Sequence, residues 1–96
     1  MVPKAHHRDL LTTPPDVLAG ISQALPTISR AVVRATEAEG FNVLQSNSPC
    51  AGQVVFHIHF HIVPRRNGDG IGLGFRQAPA ARDDLARTAA AIRAAF

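Results

Sequence analysis

VVFHIHFHIVP, residues 54–64, sets His57, His59 and His61 at every second position, three of the chain's five histidines. In an extended strand successive side chains leave on opposite faces. The spacing therefore predicts a row of imidazoles on one face and an apolar row of Phe56, Ile58, Phe60 and Ile62 on the other. The strand read here covers residues 53–63, and its apolar row is expected to pack under a helix.

That helix lies upstream. In Thr12-Thr13-Pro14-Pro15-Asp16, Thr13 suits the N-cap, Pro14 the first helical position and Asp16 the positive end of the helix dipole. Leu18, Ile21, Leu25, Ile28, Val32 and Ala35 then recur at helical spacing, which predicts a helix over residues 14–38 with one apolar stripe. Pro26 falls inside it and predicts a kink rather than an end, because the stripe keeps its phase across the proline. Gly40 suits the C-cap. Residues 1–4 read as the tail of a strand leading into a turn, residues 41–45 as a short strand and residues 46–52 as turn chemistry. Residues 64–74 read as a glycine-rich loop. Residues 80–95 form a second, alanine-rich helix with Leu85, Ala89 and Ile92 on one face. The fold class is α+β, an antiparallel sheet with a main helix packed on it and a C-terminal helix, in a single domain over residues 1–96.

Composition narrows the function. With 46% hydrophobic and 18% charged residues among 96, the chain can build a core and does not match a disordered segment. The net charge of +3 rests on scattered arginines, with Arg65-Arg66 the only adjacent pair. No basic run or aromatic platform points to nucleic acid, while a modest positive field favours an anionic small substrate. The lone Cys50 excludes an intrachain disulfide and fits a reducing compartment. No apolar run approaches the ~20 residues that cross a membrane. Residues 1–12 mix charge and proline too early for a signal peptide, so a cytoplasmic protein is expected.

A row of three histidines has several chemical meanings. It can be a half-exposed strand that merely carries imidazoles. It can bind a metal: alternate strand residues stand about 6.5–7 Å apart, so two rings can reach one zinc, with His6, His7 or an acid as the further ligand. It can also perform covalent catalysis, since neutral imidazole is a nucleophile near pH 7 and exchanges protons there. Phosphoryl and nucleotidyl transfer need such groups arranged around a charged centre.

GQVVFHIHFHIVPR, residues 52–65, resembles the signature of the histidine triad (HIT) family, three alternating histidines preceded by Gly-Gln and followed by Pro-Arg. VPKAHHRDL resembles the family segment that carries a fourth histidine, matched by His6. LTTPPDVL resembles the start of its main helix, and GFNVLQSNSPCAGQ its penultimate strand and phosphate-side loop. The resemblance runs over residues 1–66. It implies a HIT-like fold and a nucleotide hydrolase or nucleotidyl transferase that attacks the α-phosphate of a purine nucleoside phosphoramidate or dinucleoside polyphosphate. By position His59 is then the nucleophile, and His61 contacts phosphate and leaving group. His57 and His6 form a hydrogen-bonded support that fixes the tautomer of the row, and Asn47 and Gln53 lie beside the phosphate. The expected partners are a small-molecule nucleotide and a second copy of the chain in a homodimer, with no nucleic acid, no membrane, no cofactor and no resident metal.

The match departs from the family in places. Val54 stands where many members carry Ser or Thr able to hydrogen-bond the leaving group, which leaves that group undefined. The family's first strands, which wall the base and ribose, and the N-terminal cysteine pair of some members have no counterpart. A start site placed too far downstream, a fragment and a short paralogue compete as explanations, and a non-catalytic nucleotide- or metal-binding remnant is the alternative function. His7 has no family counterpart and is expected at the surface. The run GDGIGLG, residues 68–74, lacks phosphate-loop spacing and reads as a loop flanking the site. Cys50 has no activating partner and reads as inert.

Overall fold

A computed structural model describes residues 1–72 and 79–96. In chain order it has a 3-10 turn Leu10–Thr12, helix α1 Pro15–Thr36, strand β1 Gly40–Leu44, a 3-10 turn Pro49–Ala51, strand β2 His61–Arg65 and helix α2 Arg82–Ala94. The two strands pair in a two-stranded antiparallel sheet. The fold is thus α+β. The chain divides into two compact units, Met1–Pro26 with Asn42–Val63, and Thr27–Phe41 with Pro64–Phe96.

Helix α1 begins one residue later than its start signal suggests. The Pro14 carbonyl accepts from Val17 N (3.1 Å) and Leu18 N (3.2 Å), so Pro15 takes the first helical position. Thr13 does not cap: its hydroxyl donates to the Asp9 carbonyl at 2.6 Å. It thereby closes the 3-10 turn, which Asp9 and Thr12 cap reciprocally. A hydroxyl spent on the preceding turn cannot also serve the helix. The helix runs through Pro26 as one element. Its stripe buries Ile21, while Leu18, Leu25, Ile28, Val32 and Ala35 are half-buried, and Ala31 is also buried.

The end of α1 is also not where glycine placed it. Glu37 adopts the left-handed conformation with φ 54°. Glu37 N donates to Arg34 O at 3.4 Å and Ala38 N to Val33 O at 3.1 Å. These are the two bonds of a Schellman ending, and the Arg66 guanidinium adds a bond to the Thr36 carbonyl. Gly40, expected as the cap, opens β1 instead.

The strand expected over residues 53–63 is shorter and shifted. β2 starts at His61, with a bend over residues 55–57 and no regular assignment at residues 58–60. The reason lies in the partner segment. Phe60 and Met1 exchange backbone bonds of 2.8 Å, and Ile58 N donates to His7 O at 2.7 Å. Between those pairs the chain bends at Lys4 and Ala5, so the register slips and no regular ladder forms. The apolar row is likewise only partly packed. Ile58 is fully buried, Phe60 and Ile62 are half-buried, and Phe56 is 48% exposed with Arg8 over its ring at 5.4 Å.

In the second unit, Asp69 organises the turn after β2. Its carboxylate accepts from Arg65 (2.8 and 3.0 Å), Arg66 N (3.0 Å) and Ile71 N (3.0 Å). The Arg65 guanidinium, then the Arg66 and Ile71 amides, hold its pKa well below the usual carboxylate range. Glu39 clamps the same turn, accepting from Asn67 N (2.9 Å) and Asn67 Nδ2 (2.7 Å). Of the loop expected over residues 64–74, Pro64 and Arg65 belong to β2 instead, Asp69 ties the turn from Arg66 to Ile71, and residues 73–74 lie outside the described ones. In α2, Asp83 and Asp84 occupy the first turn and Arg93 the last, each complementing the helix dipole. Ala89 and Ile92 are half-buried and Leu85 is 58% exposed.

Candidate active site around the histidine row

The three histidines do meet in one place. His57, His59 and His61 line a cavity of about 370 Å³ with Met1, Val2, Val55 and Phe60. Alternation along the chain is kept without a regular strand. Phe60, expected on the opposite face, contributes to the wall because of the irregular backbone there.

Each ring is held differently. His57 Nε2 lies 3.0 Å from the Pro3 carbonyl. A carbonyl only accepts, so Nε2 carries the proton and Nδ1 bears the lone pair of the neutral ring. That Nδ1 is buried and has no hydrogen-bond partner among the described residues. His6 is exposed and stacks on His57, centroids 5.1 Å apart and planes 15° from parallel. The fourth histidine thus touches the row by ring stacking, and the hydrogen bond expected of it is made by a backbone carbonyl.

His59 Nδ1 lies 2.8 Å from the His57 carbonyl, and the same reasoning puts the proton on Nδ1. Neutral His59 therefore carries its lone pair on Nε2. His61 meets His59 edge-on, centroids 4.9 Å apart at 78°. Partial burial, followed by repulsion from a charged His59, lowers the pKa of His61.

The flanking loop is tied down by two amides. Gln53 is 2% exposed. Its Oε1 accepts from Ser48 N (2.8 Å), and its Nε2 donates to Arg8 O (2.7 Å) and Val55 O (3.2 Å). Asn47 Oδ1 accepts from Leu10 N (2.8 Å) and Gln45 Nε2 (2.7 Å), and Asn47 Nδ2 donates to Gln45 Oε1 at 2.6 Å. Both side chains expected beside a phosphate are engaged with the protein itself. Gln45, Arg8 and the Pro3 carbonyl escaped sequence reading, because nothing in a local pattern marks a group whose partner is set by the fold. His7 departs from its expected surface place: its ring Nε2 is buried without a hydrogen-bond partner among the described residues, and its backbone pairs with the buried Ile58. Cys50 is exposed and unpaired with another cysteine. Among the described residues no group of three or more His, Cys, Asp or Glu is set to hold a metal ion, and no helix is long and apolar enough to cross a membrane.

An α+β unit that gathers alternating histidines into one cavity defines a class, and comparison with known proteins gives it a family. The HIT domain model matches residues 1–68: the chain belongs to the HIT domain family. It is 46% identical over 69 residues to the adenylylsulfatase HINT3 of Arabidopsis thaliana, covering 72% of this chain and 35% of that one. It is 35% identical over 80 residues to the adenosine 5'-monophosphoramidase HNT1 of Candida albicans, covering 78% and 53% respectively. Among solved structures, a HIT-like protein of Bartonella henselae involved in cell-cycle regulation superposes with a TM-score of 0.87 at 36% identity, over 99% of this chain and 68% of that one. The chain thus spans only about a third to a half of the length of these two curated relatives.

Proposed function

We propose that the chain carries the catalytic half of a HIT-type nucleotide hydrolase or nucleotidyl transferase, acting on a purine nucleoside phosphoramidate or dinucleoside polyphosphate. One observation carries the reading: His59 Nδ1 donates to the His57 carbonyl at 2.8 Å, which leaves Nε2 as an oriented lone pair in a cavity shared with His57 and His61. In the proposed reaction Nε2 forms an N–P bond to the α-phosphorus as the leaving group departs with its bonding electron pair. The imidazolium so formed keeps its Nδ1–H bond to the carbonyl, which disperses the new charge. Water then forms a P–O bond as the N–P bond breaks, which releases the nucleoside monophosphate, restores the neutral ring and frees one proton, balancing the proton that the leaving group takes up. His61 contacts the phosphate and leaving group, and His57 and His6 support the row. The names of the relatives, an adenylylsulfatase and an adenosine monophosphoramidase, support an adenylyl substrate, and the net charge of +3 favours an anionic one. No cofactor is required, and the location proposed is the cytoplasm.

The test uses adenosine phosphoramidate. His59→Ala should abolish AMP release, because it removes the covalent route altogether. His57→Ala should slow release ~10–100-fold, as loss of an orienting group does at metal sites, and His61→Ala should fall between them. A quenched reaction should show a nucleotidyl adduct on His59 alone. Full activity in His59→Ala overturns the assignment.

A second reading keeps binding without turnover, favoured by the engagement of Gln53 with the protein's own backbone. Saturable AMP binding with no adduct would select it. We also propose a homodimer formed along the sheet.

A further inference from the structure

The segment that pairs with the histidine row breaks register at one residue. Met1 and Phe60 exchange backbone bonds in both directions at 2.8 Å, the mark of a hydrogen-bonded antiparallel pair. Regular pairing continued from there sets Pro3 opposite Ile58, with the Pro3 carbonyl accepting from Ile58 N. The chain does otherwise. Ile58 N donates to His7 O at 2.7 Å, four residues further along than Pro3. Residues 4–7 therefore form a long bulge, bent at Lys4 and Ala5.

Proline explains where the ladder stops. Pro3 has no N–H to give the Ile58 carbonyl, and within sheets proline is confined to edges, strand starts and bulges. Its own carbonyl, diverted from the ladder, lies 3.0 Å from His57 Nε2. The bulge also supplies His6, which stacks on the His57 ring with centroids 5.1 Å apart. His7, at the far end, holds the amide of Ile58, whose peptide plane includes the His57 carbonyl. One short stretch, residues 3–7, thus holds His57 by a ring nitrogen, a ring face and its peptide. Bulges beside active sites re-aim a side chain in this way.

The same geometry selects the tautomer. With the proton on Nδ1 instead, two lone pairs, those of Nε2 and the Pro3 carbonyl, would face each other across 3.0 Å. The N–H would then lie at Nδ1, which is buried with no hydrogen-bond partner among the described residues. A buried donor left unpaired is costly.

We infer that Pro3 is a positioning residue: by breaking the ladder it frees its carbonyl to fix the tautomer and orientation of His57. The effect on rate rests on the supporting role proposed for His57, but the tautomer is a readout independent of that role.

The experiment compares the unaltered chain with Pro3→Ala and with a semisynthetic chain that has an ester in place of the Pro3–Lys4 amide. Alanine restores the N–H that lets the ladder run on to Ile58. The ester keeps every side chain but makes the Pro3 carbonyl a weaker acceptor. Ring nitrogen-15 shifts give the His57 tautomer, adenosine phosphoramidate gives kcat and KM, and thermal unfolding gives Tm. For a positioning carbonyl, His57 is the Nε2–H form in the unaltered chain and a mixture in both variants. Pro3→Ala lowers kcat ~10–100-fold, the range for outer groups that orient a ligand, with KM nearly unchanged, and the ester acts in the same direction. A lowered Tm with an unmoved tautomer would overturn the inference, because Pro3 would then be structural only. An Nδ1–H form of His57 in the unaltered chain would overturn it directly. Should Pro3→Ala fail to fold, the ester decides. Should the unaltered chain release no AMP, the proposed reaction fails, while the nitrogen shifts still judge Pro3.

Discussion

At the scale of single residues, chemistry turns on which ring nitrogen carries a proton. His61 has its pKa lowered by partial burial first and by the neighbouring His59 second. A histidine that resists protonation in the folded chain contributes its full stability above the unfolded pKa of about 6.5. That contribution is lost as the pH falls from there towards the folded pKa, because the unfolded chain then binds the proton better. A carbon-proton NMR titration of His61 should therefore show a midpoint below that of a model histidine. In His59→Ala the midpoint should move up, since the second cause is removed; an unmoved midpoint would mean that the two rings do not repel. Ser48 shows that the site loop also holds backbone strain, with φ 75° and ψ 155°, a region that side chains other than glycine rarely occupy.

At the scale of elements, the end of α1 offers a clean test of conformational cost. Glu37 sits at φ 54° in the position where a Schellman ending most often has glycine. Its Cβ opposes the left-handed conformation, and its negative charge stands at the negative end of the helix dipole. Glu37→Gly removes both penalties and gives back part as unfolded-state entropy, leaving a gain of about 1 kcal/mol. Thermal unfolding should then move up by roughly 4–8 °C, the scale for a domain of this size. A lowered Tm would mean that Glu37 makes a compensating contact.

At the scale of the whole molecule, the sheet poses the question of a partner. The described sheet has two strands, and two strands alone are marginal in water. Along β1, Phe41 is 46% and Val43 42% exposed among the described residues, and an exposed apolar strand invites another chain. Light scattering at micromolar concentration should give twice the 10.2 kDa chain mass, and Val43→Lys should shift the population towards monomer. A monodisperse monomer from the unaltered chain would refute the homodimer.

What the sequence determined by itself is periodicity and its consequences. The two-residue spacing of His57, His59 and His61 was enough to bring them to one cavity, and the stripe through Ile21 was enough to define α1, because each depends only on local geometry. The boundaries shifted where two local signals competed: Thr13 was claimed by the turn before it, and Glu37 ended the helix ahead of Gly40. The aim of the histidines was not legible. His57 is held by Pro3, 54 positions away, Gln53 by Arg8, 45 away, and Leu10 by Asn47, 37 away. A repeat of two residues fixes the face on which a side chain stands. Which atom bears its proton depends on acceptors that only folding brings within about 3 Å, the reach of a hydrogen bond.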